Sequence, residues 1–160
     1  MAKATSWPTI KASNVFVGVG VMETDVYIGG SRKGPDKNDA EYYVNTASFY
    51  RQIRNFKIDI TAARNDQNIS CVHYQVAQAT SIWNVELIAK TGGTQRGICA
   101  YHLSPIPKYP KMVITKKLKF RTPVAENGSG GVMSDITFRG GRYGFCEWHL
   151  GFDPASRHDS

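Results

Sequence analysis

Hydrophobic and polar residues alternate over short stretches, and few stretches keep a helical period. The segments Thr9-Ile10-Lys11-Ala12, Val15-Phe16-Val17-Gly18-Val19, Phe56-Lys57-Ile58-Asp59-Ile60, Cys71-Val72-His73-Tyr74, Val85-Glu86-Leu87-Ile88, Met112-Val113-Ile114 and Asp135-Ile136-Thr137-Phe138 are β-branched or alternating, and each predicts a strand. The best helical candidate is short, running from Asp39-Ala40-Glu41-Tyr42-Tyr43-Val44 into Thr46-Ala47-Ser48-Phe49-Tyr50. A polar loop rich in Gly and Pro, residues 29–38, precedes it. The pattern therefore predicts an all-β chain.

Three of the strand motifs resemble one another. Ile53-Arg54-Asn55-Phe56-Lys57-Ile58 is followed 29 residues later by Ile82-Trp83-Asn84-Val85-Glu86-Leu87, and 51 residues after that by Met133-Ser134-Asp135-Ile136-Thr137-Phe138. Each copy sets Asn or Asp before an apolar, a polar and another apolar residue. One strand motif per period in the twenties is the signature of a solenoid. In a parallel β-helix, coils stack about 4.8 Å apart. Like residues then form columns, apolar inside, with Asn as a ladder at a bend. The competing reading is chance likeness among three short strands.

The second spacing is too long by one coherent stretch. Residues 101–124, YHLSPIPKYPKMVITKKLKFRTPV, carry four Pro and six basic residues (Lys108, Lys111, Lys116, Lys117, Lys119 and Arg121) with no acid. Removing these 24 residues brings the offset to 27, close to the first. The stretch thus reads as an insertion between two coils. Charge follows it. The chain is +7 overall, with 20 Lys plus Arg against 13 Asp plus Glu, but outside the insertion 14 basic residues face 13 acidic ones. The basic composition that would invite a nucleic-acid reading is therefore local. The insertion has two readings: an anion-binding loop with Tyr101, Tyr109 and Phe120 available to stack on bases, or a segment with no selected role, which is favoured. No specific nucleic acid and no membrane partner are expected, since no apolar run approaches the roughly 20 residues of a membrane span. Cys71, Cys99 and Cys146 lack a CxxC pair and metal-ligand spacing and read as small apolar fillers, their disulfide state left open. Neither a metal nor a cofactor is expected. The sequons at Asn68 and Asn127 are compatible with secretion and do not establish it.

Longer strings carry a family likeness. Pro8-Thr9-Ile10-Lys11-Ala12-Ser13, Tyr43-Val44-Asn45-Thr46-Ala47-Ser48-Phe49-Tyr50-Arg51-Gln52-Ile53-Arg54-Asn55-Phe56, His73-Tyr74-Gln75-Val76-Ala77-Gln78-Ala79-Thr80-Ser81 and Glu126-Asn127-Gly128-Ser129-Gly130-Gly131-Val132-Met133-Ser134-Asp135 resemble fungal exo-β-1,3-glucanases of glycoside hydrolase family 55. The likeness covers about residues 8–100 and 125–145. It implies the pectate-lyase-like fold, a right-handed single-stranded parallel β-helix, here partial and interrupted by the basic insertion. Residues 1–145 then form a partial β-helix domain containing the insertion 101–124, and 146–160 a tail unrelated to the family. Both foreign stretches are expected to be translated intron, because the family runs from its Gly-Ile-x-Ala segment straight into Glu-Asn-Gly-Ser-Gly-Gly. The family enzyme is secreted and has a second β-helix domain. The expectation here is a piece of the first domain, without that partner domain. Its N-terminus shows no signal-peptide pattern, so its location is not assigned.

The resemblance also implies chemistry. The family hydrolyses β-1,3-glucan from its end with inversion, which needs an acid and a base roughly 6.5–9.5 Å apart. The family's acid belongs to the second domain, so no catalytic residue is expected here and the chain alone is expected to be inactive. The residues matching substrate- or water-positioning groups are Gln75, Gln78 and Ser129, with Asn127 and Glu126 beside them. Amides and hydroxyls both donate and accept, which suits a water or a sugar hydroxyl. The competing role for Gln75 and Gln78 is satisfying backbone groups at a coil edge. Asp135, Asp59, Glu86 and His73 are expected to be structural, and Trp83 to pack on a neighbouring coil. The expected partner is β-1,3-glucan or a related polysaccharide. The alternative function is a non-catalytic carbohydrate- or anion-binding β-helix module.

Overall fold

The structure is a computed structural model that describes residues 6–31, 39–44, 47–65, 69–100, 118–122 and 131–146. Among the described residues nine strands occur: β1 Thr9–Lys11, β2 Gly20–Glu23, β3 Gln52–Asp59, β4 Ser70–His73, β5 Ser81–Ile88, β6 Arg96–Cys99, β7 Leu118–Thr122, β8 Gly131–Arg139 and β9 Tyr143–Cys146. The first sheet has the order β1-β3-β5-β8-β7 and the second β2-β4-β6-β9. All neighbours are parallel except β7, which runs antiparallel to β8. The chain alternates between the sheets and advances one strand per circuit. This is a parallel β-helix, as the repeat and the resemblance predict.

Register confirms the repeat. Ile53 pairs with Ile82, which pairs with Met133; Phe56 pairs with Val85 and then Ile136; Ile58 pairs with Leu87 and then Phe138. From these columns Ile58, Ile82, Val85, Leu87, Met133, Ile136 and Phe138 are buried in the core, with Cys71, Val72 and Ile98 from the second sheet. Asn55, Asn84 and Asp135 interrupt the pairing at the same place in each coil. All three are left-handed, with φ of 59°, 55° and 53°. Asn and Asp tolerate this conformation better than other non-Gly residues, so the column bends each long strand around the core. The Asn84 side-chain amide donates to the Asn55 side-chain oxygen at 3.2 Å. Asp135 is therefore placed as a structural residue.

A charge ladder crosses the same three coils. Glu86 meets Lys57 at 3.2 Å and Arg139 at 2.7 Å. Partial burial alone would raise the Glu86 pKa. Hydrogen bonds from Arg139 and Lys57, and their charges, outweigh that and hold it below its ordinary value. Trp83 packs as expected, with the Arg54 guanidinium of the preceding coil 5.7 Å from its ring centre.

The turns on one side are fastened by amides. Gln95 is fully buried. Its Nε2 donates to the carbonyls of Ile60, Ala63 and Arg64 at 2.9, 3.2 and 3.0 Å, and its Oε1 accepts from Lys90 N–H at 2.9 Å. One side chain thus satisfies carbonyls of the preceding turn and an amide of its own.

Several expectations are corrected. Residues 39–50 contain no helix where described. Val26 and Ile28 instead exchange backbone bonds with Tyr42 and Ala40, around an antiparallel bridge of Tyr27 with Glu41. Residues 15–19 are not a strand, and Val15 and Val17 are 77% and 87% exposed. Met112-Val113-Ile114 lies outside the described residues. Strands β2, β7, β6 and β9 were not predicted. The last two each carry a Gly because the Phe138 ring fills the space beside them, and a Cβ on Gly97 would meet both that ring and the Gly144 carbonyl. Cys99 is disulfide-bonded rather than a filler, and the register sets it beside Cys146. Cys71 is free and buried, hydrogen-bonding the Ile58 carbonyl, and desolvation raises its pKa far above the ordinary thiol range.

Replacing Gln95 by Leu removes one side-chain partner from three carbonyls and one amide, at about 1–3 kcal/mol for each group that is then left unpaired and out of reach of water. Gln95→Leu is expected to lower stability by about 3 kcal/mol in a denaturant melt. Glu86 has a folded pKa below its unfolded value. Its contribution is therefore present above the unfolded value of about 4.3 and is lost as pH falls through the lower folded value. Thermal melts at pH 6 and pH 3 should differ more in the wild type than in Glu86→Gln. The difference corresponds to at most about 1 kcal/mol, since Arg139 is largely exposed.

Candidate functional site

The longest links lie on one side of the solenoid. On one side, the links β3 to β4, β5 to β6 and β8 to β9 are short: residues 60–69, 89–95 and 140–142. On the other side, β2 leads to β3 through residues 24–51, β4 to β5 through 74–80, and β6 to β8 through 100–130, a link that contains β7. Insertions in a solenoid collect on one face, often the binding face. Here a short turn lies between two long ones. Gln75 and Gln78 are both in that short turn, and the basic insertion belongs to the long link that follows.

The turn is built by its neighbours. The Thr24 hydroxyl donates to the Gln75 carbonyl at 2.8 Å and accepts from Gln75 N–H at 2.9 Å. Thr24 N–H donates to the His73 carbonyl at 3.1 Å. The Tyr74 hydroxyl donates to the Arg51 carbonyl at 3.1 Å. Desolvation raises the Tyr74 pKa to about 12, against hydrogen bonding with Thr80 and Ser81, so the phenol stays protonated. Tyr50 N–H donates to the Gln78 carbonyl at 3.3 Å. Tyr50 and Ala79 hold φ of 56° and 57° at equivalent points of adjacent coils.

The positioning candidates separate. Gln75 is buried at 2% exposure, whereas Gln78 is exposed. The structure thus brings both amides to one turn but only Gln78 to the surface. Ser129, Asn127 and Glu126 lie outside the described residues, as do residues 101–117 with their lysines. His73 is buried, 3.4 Å from Glu23, in keeping with a structural histidine. Asp59 accepts from the Thr61 amide and hydroxyl at 2.9 and 2.6 Å, a local turn contact. Among the described residues no group of three His, Cys, Asp or Glu side chains is placed to hold a metal.

One feature beside the turn was not anticipated. Glu23, Thr24, Val26, Tyr42, Tyr43, Ser48 and Arg51 line an open cavity of about 310 Å³. Arg51 is held over the Tyr43 ring at 5.3 Å, and its Nε donates to the Ser48 hydroxyl at 3.1 Å. Tyr42 and Tyr50 are 77% and 78% exposed, with Tyr43 and Phe49 half exposed. The sequence signal was the aromatic density of residues 42–50, read there as a helical face.

A family model described as rhamnogalacturonase A/epimerase, pectate lyase-like, matches residues 3–152. The chain belongs to this pectate-lyase-like family. Among curated proteins, it is 36% identical over 140 residues to a Penicillium expansum protein named non-secreted LysM effector LysM19, covering 86% of this chain and 8% of that protein. It is 31% identical over 143 residues to a probable glucan endo-1,3-beta-glucosidase of Arthroderma benhamiae, covering 88% of this chain and 13% of that one. It is 26% identical over 137 residues to a glucan 1,3-beta-glucosidase of Cochliobolus carbonum, covering 86% of this chain and 14% of that protein. The chain therefore spans a small part of the length of these relatives. The glucanase link suggested by the sequence strings is present at this level.

Replacing Thr24 by Val keeps the shape and removes the hydroxyl that both donates to and accepts from Gln75. Thr24→Val should lower stability by about 1–2 kcal/mol. It should also speed hydrogen exchange of the Gln75 amide, with exchange in β5 changing less.

Proposed function

We propose that the chain is the water- and sugar-positioning half of a glycoside hydrolase of family 55, acting on β-1,3-glucan with inversion. The observation that carries the reading is the exposed Gln78 amide on a short turn between two long connections, in a chain similar to proteins named glucan 1,3-beta-glucosidases. An amide at that point donates and accepts, as an attacking water or a sugar hydroxyl requires. Gln75 supports the turn from beneath. The 51-residue offset between β5 and β8 carries the position of Gln78 to Ser129 in sequence, which adds Ser129, with Asn127 and Glu126, to the positioning set by sequence alone. The general acid comes from outside residues 1–160. The relatives' much greater length leaves room for it.

Incubation of the full chain with laminarin should release no glucose, while affinity electrophoresis in laminarin-containing gels should retard it. Glucose release at an enzyme-like rate would overturn the assignment of the acid elsewhere. Migration unaffected by laminarin would overturn the glucan reading.

A further inference from the structure

We propose that the cavity lined by Glu23, Thr24, Val26, Tyr42, Tyr43, Ser48 and Arg51 is a subsite for one pyranose unit of a neutral glycan, with Tyr42 and Tyr43 as its ring-stacking wall. This deepens the proposed function and rests on it for the identity of the sugar.

Size is the first argument. About 310 Å³ lies at the small end of ligand sites, which run from roughly 300 to 1,000 Å³. It admits a single sugar ring rather than an extended aromatic cofactor. Charge is the second. The walls carry one carboxylate, Glu23, one guanidinium, Arg51, and the hydroxyls of Thr24 and Ser48. An anion would be repelled by Glu23 and a cation by Arg51, whereas a neutral polyol satisfies both. Neighbouring hydroxyls donate to the carboxylate and accept from the fork of the guanidinium.

Preorganisation is the third argument. Arg51 is fixed by the buried Ser48 hydroxyl at 3.1 Å and by the Tyr43 ring at 5.3 Å. Glu23 lies with a carboxylate oxygen 3.4 Å from the buried His73 ring nitrogen. Little side-chain freedom remains to be lost on binding. The aromatic residues provide the fourth. Tyr42 and Tyr43 leave large ring area in water beside this polar set, and a tyrosine offers an apolar body with a polar tip. A pyranose presents the complementary surface, with C–H groups on its faces and hydroxyls around its rim.

Thr24 joins this cavity to the turn bearing Gln75 and Gln78 through its two hydrogen bonds to Gln75. A sugar in the cavity therefore lies beside the proposed water-positioning strip, as neighbouring units of one glycan chain would.

The test is calorimetric titration of the full chain with laminarihexaose, with mannohexaose and oligogalacturonate as comparison probes. The same titrations use Tyr42→Ala, Tyr43→Ala and Glu23→Gln. Lys90→Ala, on the far side of the solenoid, serves as control, and thermal melts establish that each variant is folded. Laminarihexaose should bind, each tyrosine variant should weaken binding at least tenfold, and Lys90→Ala should match the wild type. Laminarihexaose binding untouched by the tyrosine variants would overturn the subsite and leave the glucan reading standing. Tyrosine-dependent binding of mannohexaose alone would keep the subsite and overturn the glucan reading. Binding of oligogalacturonate alone, or of no probe, would overturn the subsite.

Discussion

The whole molecule depends on parallel strands stacking in register, one coil on the next. Backbone hydrogen bonds fix the spacing, and each side chain meets its counterpart in the neighbouring coil. Three kinds of column result. Apolar columns, such as Ile58 with Leu87 and Phe138, form the interior. A left-handed column of Asn55, Asn84 and Asp135 turns the strand around that interior. A charged column of Lys57, Glu86 and Arg139 ties the outside together. No coil buries its own faces; each is completed by its neighbours.

That constraint explains what could be read from the sequence. A column repeats a residue type at a fixed offset, so the apolar columns and the Asn ladder were visible as the motifs around 55, 84 and 135. The second sheet was far less legible. Arg96-Gly97-Ile98-Cys99 and Tyr143-Gly144-Phe145-Cys146 do not alternate, because both faces of these strands are constrained and the Phe138 ring requires Gly97 and Gly144 beside it. Gln95 escaped notice for a related reason. Its role depends on three carbonyls from the preceding turn, and no residue type in sequence marks a carbonyl that needs a donor. Residues 39–50 misled because their aromatic spacing resembles a helical face, while the backbone of 40–42 pairs with 26–28.

The candidate site follows from the same geometry. Gln75 and Gln78 were found by likeness to a family, and the structure shows why a turn can hold them. It is short, it is clasped by Thr24, and it lies between longer links. The sequence did not distinguish the two amides. Three residues of separation in an irregular turn can reverse direction, and here one is buried and the other meets solvent. The cavity was illegible for a different reason: Glu23 and Arg51 are far apart in sequence and line one cavity where the backbone of 40–42 pairs with 26–28.

The unequal lengths of the connections bear on how such a scaffold changes over time. The pairing of β5 with β8 keeps one register through an offset of 51 residues, as β3 and β5 do through 29. Lengthening a flexible link adds only about 0.6 kcal/mol of closure entropy per doubling. Strand pairing therefore does not sense what is inserted on the open side. A coil can acquire tens of residues there, basic or aromatic, and keep its place in the stack. Recognition and architecture can then vary almost independently, so relatives that share this core can be expected to differ most in what they bind.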